Sequence, residues 1–180
     1  MKRDEEIKRL VHYAKGLGVK VIIYNKANKE ADAEWALDGS LIQVYIGNNT
    51  SKTNTILSLI HELGHHIWFI HEKDRQPDLK FEEAIERQNL CEEDDKKNPA
   101  PKHLRKKIYD VEKAGTEWWL SIYKDVGIQI PEWKLFTSME YDMWIYEVYY
   151  ETGHFPKGVV RKNKFKEIQK KWREKWKQSC

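Results

Sequence analysis

The 180-residue chain is poor in several things, and each shortage narrows what it can be. Its two cysteines, Cys91 and Cys180, are far apart and outside any CxxC pair, so no disulfide framework is expected. No apolar run approaches membrane-spanning length, and no apolar segment follows the opening MKRDEEIKRL. Neither a spanning helix nor a signal peptide is therefore expected. Internal repeats and low-complexity linkers are missing as well. These absences point to a soluble, cytoplasmic protein of one domain by length, large enough to bury a core without disulfides or oligomerisation.

What is present is a globular mix, 40% apolar and 34% charged, with eight Trp and nine Tyr. Aromatics in that number mean either a well-packed core or an adhesive surface. The net charge is only +3 but unevenly placed. Residues 161–177, RKNKFKEIQKKWREKWK, hold nine Lys/Arg against two Glu, a local +7 that leaves −4 for the rest. Such a run is either a solvated helix face or a contact for an anionic partner.

Read along the chain, RDEEIKRLVHYAKGLG has Ile7, Leu10, Val11 and Ala14 at helical spacing, with Gly16 or Gly18 as the stop. VKVIIYN has strand length and β-branched residues. EWALD and LIQVYIG read as two further strands joined by the turn DGS. NNTSKTNT offers N-cap residues before the helix TILSLIHELGHHIWFI. A charged helix near DLKFEEAIERQNL follows, then an acidic loop closed by NPAP and one long helix HLRKKIYDVEKAGTEWWLSIYKDVG. After IPEWKLF, the start TSME has the form of a capping box, which predicts a helix from Thr137 to near Gly153. The expected fold class is α+β with helix dominant, a small three-stranded sheet packed beside the central helix. Residues 1–130 form the core, and 131–180 a helical extension with a basic amphipathic tail in the same globular unit.

The central helix carries the chemistry. His61-Glu62-Leu63-Gly64-His65 fits HExxH. Residues four apart on a helix differ by about 40° around the axis and one turn along it, so both imidazoles can share one zinc ion. Glu62 then sits beside them to activate a water on the metal. Ile56, Ile60, Leu63, Ile67 and Ile70 form one apolar stripe, and His61 and His65 project roughly 140–180° from it.

A catalytic zinc usually takes three protein ligands. His71 has the metzincin spacing, but Trp68 stands where that pattern needs a glycine to turn the chain. On a continuous helix His71 would lie about 15 Å along the axis from His61 and about 80° off its direction. His66 points about 140° away. A glutamate from a later helix is the other route. Glu112 borders the long stripe Leu104, Ile108, Val111, Gly115, Trp118 and Ile122, and Gly115 lets that helix approach closely. Glu82 borders the shorter stripe Phe81, Ala84 and Ile85 and stays open as the alternative.

The order helix, small sheet, TNTILSLIHELGHH and then a helix bearing a glutamate resembles the ImmA/IrrE family of gluzincin metallopeptidases. The segment EKAGTEWW is similar to that family's E-x-x-A-(N/D)-x-F-A, with Gly115 for Ala, Thr116 for Asn/Asp, Trp118 for Phe and Trp119 for the final Ala. The resemblance covers residues 5 to 125. It implies a zincin-like fold, zinc as cofactor, His61, His65 and Glu112 as ligands, and Glu62 as general base and acid. It also implies an endopeptidase acting on an intracellular protein, such as a regulatory protein. A further donor for the oxyanion could come from Tyr146, Tyr149 or His154. The strand LIQVYIG could hold substrate by edge pairing.

In the last third, Phe165, Ile168, Trp172 and Trp176 align on one side of the tail, with Lys and Arg around the rest. The tail either docks on the domain, contacts nucleic acid through residues 161–180, or lies at a membrane interface. Two rival readings follow. One is a DNA-associated metalloprotease resembling the SprT group, with His103 or His154 as third ligand. The other is a non-catalytic module that keeps zinc for structure only.

Overall fold

A computed structural model describes residues 2–26, 32–46, 51–71 and 100–179. By packing, the chain divides into two units, residues 1–74 with 114–130, and residues 75–113 with 131–180. The architecture is α+β and helix-dominant, with one small mixed sheet. Glu82 and the charged helix expected around it lie outside the described residues.

In the first unit, α1 (Lys2–Gly16) buries Leu10 and Ala14 completely, two members of the expected stripe. Glu6 is buried on the same side, where it accepts from Arg3 (2.6 Å) and from the backbone N–H of Gln129 (2.5 Å). Two donors to one carboxylate make that burial tolerable. Gly18 ends the helix at φ +86°, with Val19 N–H reaching back to the Ala14 carbonyl and Gly18 N–H to that of Lys15. That is a Schellman closure, and the left-handed residue it needs is why the stop falls at a glycine.

Strands β1 (Lys20–Tyr24), β2 (Ala33–Trp35) and β3 (Leu41–Tyr45) stand in the order β1-β3-β2. β1 runs parallel to β3, with Lys20 opposite Leu41. β2 and β3 form the antiparallel hairpin expected from the DGS turn, in which Ser40 donates to Asp38 from its N–H and its hydroxyl. The strand LIQVYIG is therefore central and paired on both sides, which corrects its expected role as a substrate-binding edge. The parallel pairing of β1 takes up the side that a lone hairpin would have left open. Ile42 and Val44 alternate inward from β3 and are buried.

Helix α2 (Lys52–His71) runs unbroken through the HExxH segment to His71. It packs against α1, β2, β3 and α4 (Trp119–Asp125). Ile56, Ile60, Leu63 and Ile67 are buried as the stripe predicts, but so are Leu59, Glu62, Gly64, His65, His66 and Trp68. From Leu59 to Trp68 the helix is enclosed on most sides, so Glu62, His65 and His66 are interior groups.

Helix α3 (Lys102–Glu117) is continuous across the division between the units. The single helix expected from 103 to 127 breaks at Trp118, whose N–H bonds the Gly115 carbonyl in a tighter three-residue turn. The shift of phase buries Trp119 where the straight-helix stripe had Trp118.

In the second unit, α5 (Glu132–Thr152) begins five residues before the expected capping box, with Pro131 as its N-cap. Pro131 pre-sets the backbone at the N-terminus, and no breaker intervenes before Thr152. Thr137 is accordingly inside the helix and bonds the Trp133 carbonyl one turn back (2.6 Å). The buried guanidinium of Arg105 donates to the carbonyls of Tyr149 (3.1 Å) and Tyr150 (2.6 Å), at the negative end of α5. Helix α6 (Gly158–Ser179) docks on α5 through buried Ile168 and through Trp172, which stacks on Phe136 and donates to Glu140 (2.7 Å). Of the tail readings, docking by the aromatic side describes this unit. No described helix is long and apolar enough to cross a membrane.

Candidate metal centre

Helical spacing puts His61 and His65 one turn apart on α2, and their Nε2 atoms face each other at 3.0 Å. The rings are nearly perpendicular (72°), with centroids 4.7 Å apart. Each is set by aromatic walls. Trp119 meets His61 edge-on at 5.3 Å, and Trp35 of β2 stacks on His65 at 6.1 Å.

Two glycines make the close approach of α3 to α2 possible. A Cβ at Gly64 would run into the carbonyl oxygen of Gly115 and stand 3.1 Å from Trp119 Cδ1. A Cβ at Gly115 would stand 2.6 Å from Nδ1 of His65 and 2.9 Å from its Cε1. The His65 ring thus lies directly on the backbone of α3, and only glycine leaves room for it.

Glu112 precedes Gly115 by three residues on the same unbroken helix, so it projects from nearly the same face. His61, His65 and Glu112 each offer a ligand atom, these atoms all lie within 4.8 Å of one another, and the group could hold a metal ion. Glu62 is buried beside them, its Oε1 4.0 Å from Nε2 of His61.

The other histidines are elsewhere. His66 is a buried core residue whose Nε2 meets the Leu17 carbonyl at 3.2 Å. Burial pushes its pKa below the usual imidazole value, and the Leu17 contact only partly opposes that. His71 is exposed and stacks on Trp118 at 5.1 Å. His103 and His154 are exposed, and neither belongs to the three-residue group. Among the suggested oxyanion donors, Tyr149 is fully buried against Phe155, at 4.4 Å and nearly parallel. Tyr146 meets the same ring edge-on at 5.8 Å.

One carboxyl group near the site escaped the sequence reading. Asp142 of α5 has its pKa pushed up to about 7, first by burial and then by the negative charge of Glu112, while Arg161 pulls it down. A single Asp within the aromatic helix SMEYDMWIYEVYY was the available signal, since carboxylates are rarely enclosed without a partner.

The free edge of the sheet nearest these histidines belongs to β2. Ala36 N–H bonds Leu41 O and Tyr45 N–H bonds Asp32 O, so residues 32 and 36 face β3. By alternation the backbone groups of Ala33 and Trp35 face away from it, and no described strand pairs with them. Comparison of the chain with protein-family models, with curated proteins and with solved structures returns no match.

Proposed function

We propose that the chain is a zinc-dependent endopeptidase in which His61, His65 and Glu112 hold the metal and Glu62 is general base and acid. The observation that carries this reading is the grouping of two HExxH imidazoles and one glutamate, with a second carboxylate buried beside them. The donor set is the two-His, one-Glu set that catalytic zinc uses. Nitrogens bound to a tetrahedral zinc at about 2.05 Å stand about 3.3 Å apart. The observed 3.0 Å between the Nε2 atoms differs from that by only a few tenths, within the reach of a small ring rotation.

Bound zinc supplies Lewis acidity, which acidifies water and polarises a carbonyl. The remaining roles fall to the chain. Glu62 takes a proton from the water that attacks the peptide carbonyl, then gives it to the departing amine nitrogen. Burial of Glu62 and the walls of Trp35 and Trp119 thin out water around that proton. An extended substrate strand fits the outward backbone groups of Ala33 and Trp35, one residue of which also stacks on His65. The reading resembles the ImmA/IrrE peptidases and implies a protein substrate inside the cell, consistent with two cysteines that form no CxxC pair.

The test is metal content together with peptide hydrolysis. Glu62→Gln is expected to retain zinc and lose hydrolysis. Glu112→Ala is expected to lose zinc. Hydrolysis that survives Glu62→Gln would remove the proposed base, and full zinc retention in Glu112→Ala would remove the third ligand.

A further inference from the structure

The basic tail divides its cations into two sets. The first set is engaged by aromatic rings or carboxylates. Arg161 lies over Tyr141, Lys171 pairs with Glu140 at 2.7 Å, and Arg173 lies 4.6 Å from the centroid of Trp133. Lys175 covers Trp172 at 4.6 Å, and Lys164 pairs with Glu167 at 2.8 Å.

The second set is Lys162, Lys166, Lys170 and Lys177, all exposed. At 100° per residue they fall within about 80° of arc and extend over about 22 Å of helix. The same wheel puts their mean direction about 145° from that of Ile168 and Trp172, which are fixed against α5. Among the described residues only Lys170 has an acidic neighbour, Glu174 at a loose 4.0 Å, and both are exposed. A surface pair of that kind contributes little and leaves the cation open to a better anion.

Four solvated ammonium groups form a row of positive charge one or two turns apart, and the exposed apolar residue on the same arc, Val159, stands beyond its N-terminal end. A protein partner would need an apolar core to its interface, and no apolar residue stands among these lysines. An interfacial membrane helix would need to insert its apolar side. On α6 that side is already packed against α5. A phosphate backbone needs neither, since its affinity comes from cations that displace condensed counterions. We propose that the Lys162–Lys166–Lys170–Lys177 face of α6 binds the phosphate backbone of duplex DNA without reading its sequence. This surface is separate from the residues of the peptidase reading and does not depend on it.

Fluorescence anisotropy of a labelled short duplex, titrated with the full chain across KCl concentrations, tests it. Four phosphate contacts give log affinity against log salt a slope of about −3.6, or about 150-fold weaker binding at 200 mM than at 50 mM salt. Lys162→Gln and Lys166→Gln should each reduce the slope by about 1. All four lysines changed to Gln should abolish binding in that salt range, with the helical circular dichroism unchanged. Removing three charges elsewhere, with Lys8→Gln, Lys15→Gln and Lys20→Gln, should leave the slope as it was. The proposal falls if wild type does not bind at 50 mM salt, or if the four-lysine variant keeps the slope. It falls equally if the control triple removes as much, or if anionic phospholipid vesicles require these lysines while the duplex does not.

Discussion

Gly115→Ala is the sharpest single test of how the candidate metal centre is built. The added methyl would stand 2.6 Å from Nδ1 and 2.9 Å from Cε1 of His65. Ordinary carbon contacts are about 3.5–4.0 Å, so the ring must retreat by about 1 Å or α3 must lift by as much. Overpacking of this kind costs about 1–3 kcal/mol. Replacing glycine by alanine inside a helix returns about 1 kcal/mol of propensity. Stability should therefore fall by only about 0–2 kcal/mol, and alone it would be a poor discriminator. Metal affinity is the better reporter, because a shift of the ligand ring itself acts at least as strongly as loss of an outer-shell support, which costs about 10–100-fold. Competition with a chromogenic chelator gives the zinc affinity, and urea unfolding of the same samples gives the stability. Gly64→Ala should be the harsher change, since its methyl meets the backbone of Gly115, which cannot rotate away. The reasoning is refuted if Gly115→Ala binds zinc as wild type does, or if Gly64→Ala is the milder of the two.

Three further outcomes are expected. Ala33→Pro removes an N–H that faces away from β3 while sparing the ladder, so unfolding should change by less than about 1 kcal/mol. Hydrolysis of peptide substrates should nevertheless drop, and unchanged hydrolysis would exclude the β2 edge as the substrate strand. Arg105→Met keeps the buried stem but removes two charge-assisted bonds to the end of α5. It should cost about 2–4 kcal/mol in urea unfolding, the scale of such bonds with their acceptors left buried. Tyr13 has its phenol pKa raised, first by partial burial and then by Asp125, whose Oδ2 lies 3.5 Å away. Its folded pKa lies above the unfolded value near 10, so its contribution to stability is complete below that pH and lost as pH rises. Tyr13→Phe should flatten that alkaline limb, and an unaltered limb would assign it to other groups.

Much of the first unit was legible because the relevant signals are local. Helical periodicity places His61 and His65 together regardless of what surrounds them, and Trp68 keeps α2 straight through His71. The DGS turn predicts a hairpin, and the hairpin forms. Sheet order is a different kind of information. Nothing within LIQVYIG says that β1 will add parallel to its far side, so the strand read as an edge is the centre. The same holds for Thr137, whose capping-box pattern is real but is outweighed by Pro131 six residues upstream. Asp142 also escaped, because its environment is made first by burial and then by Glu112, thirty residues away in sequence.

Glu112 is the instructive case between these extremes, since a contact with α2 is as long-range as the sheet order and yet could be anticipated. The difference is glycine. A glycine within a helix sacrifices stability locally, so its presence beside an apolar stripe signals a crossing too close for any side chain. Gly115 marks one side of that crossing before any fold is known, and the structure supplies the other side, Gly64 of α2. A carboxylate one turn from such a glycine must lie near whatever the facing helix presents, and here that is the HExxH pair. Helix periodicity orients a side chain, and paired small residues say which helices meet. The β-strands offer no comparable mark, because a strand's backbone is equally ready to pair on either side.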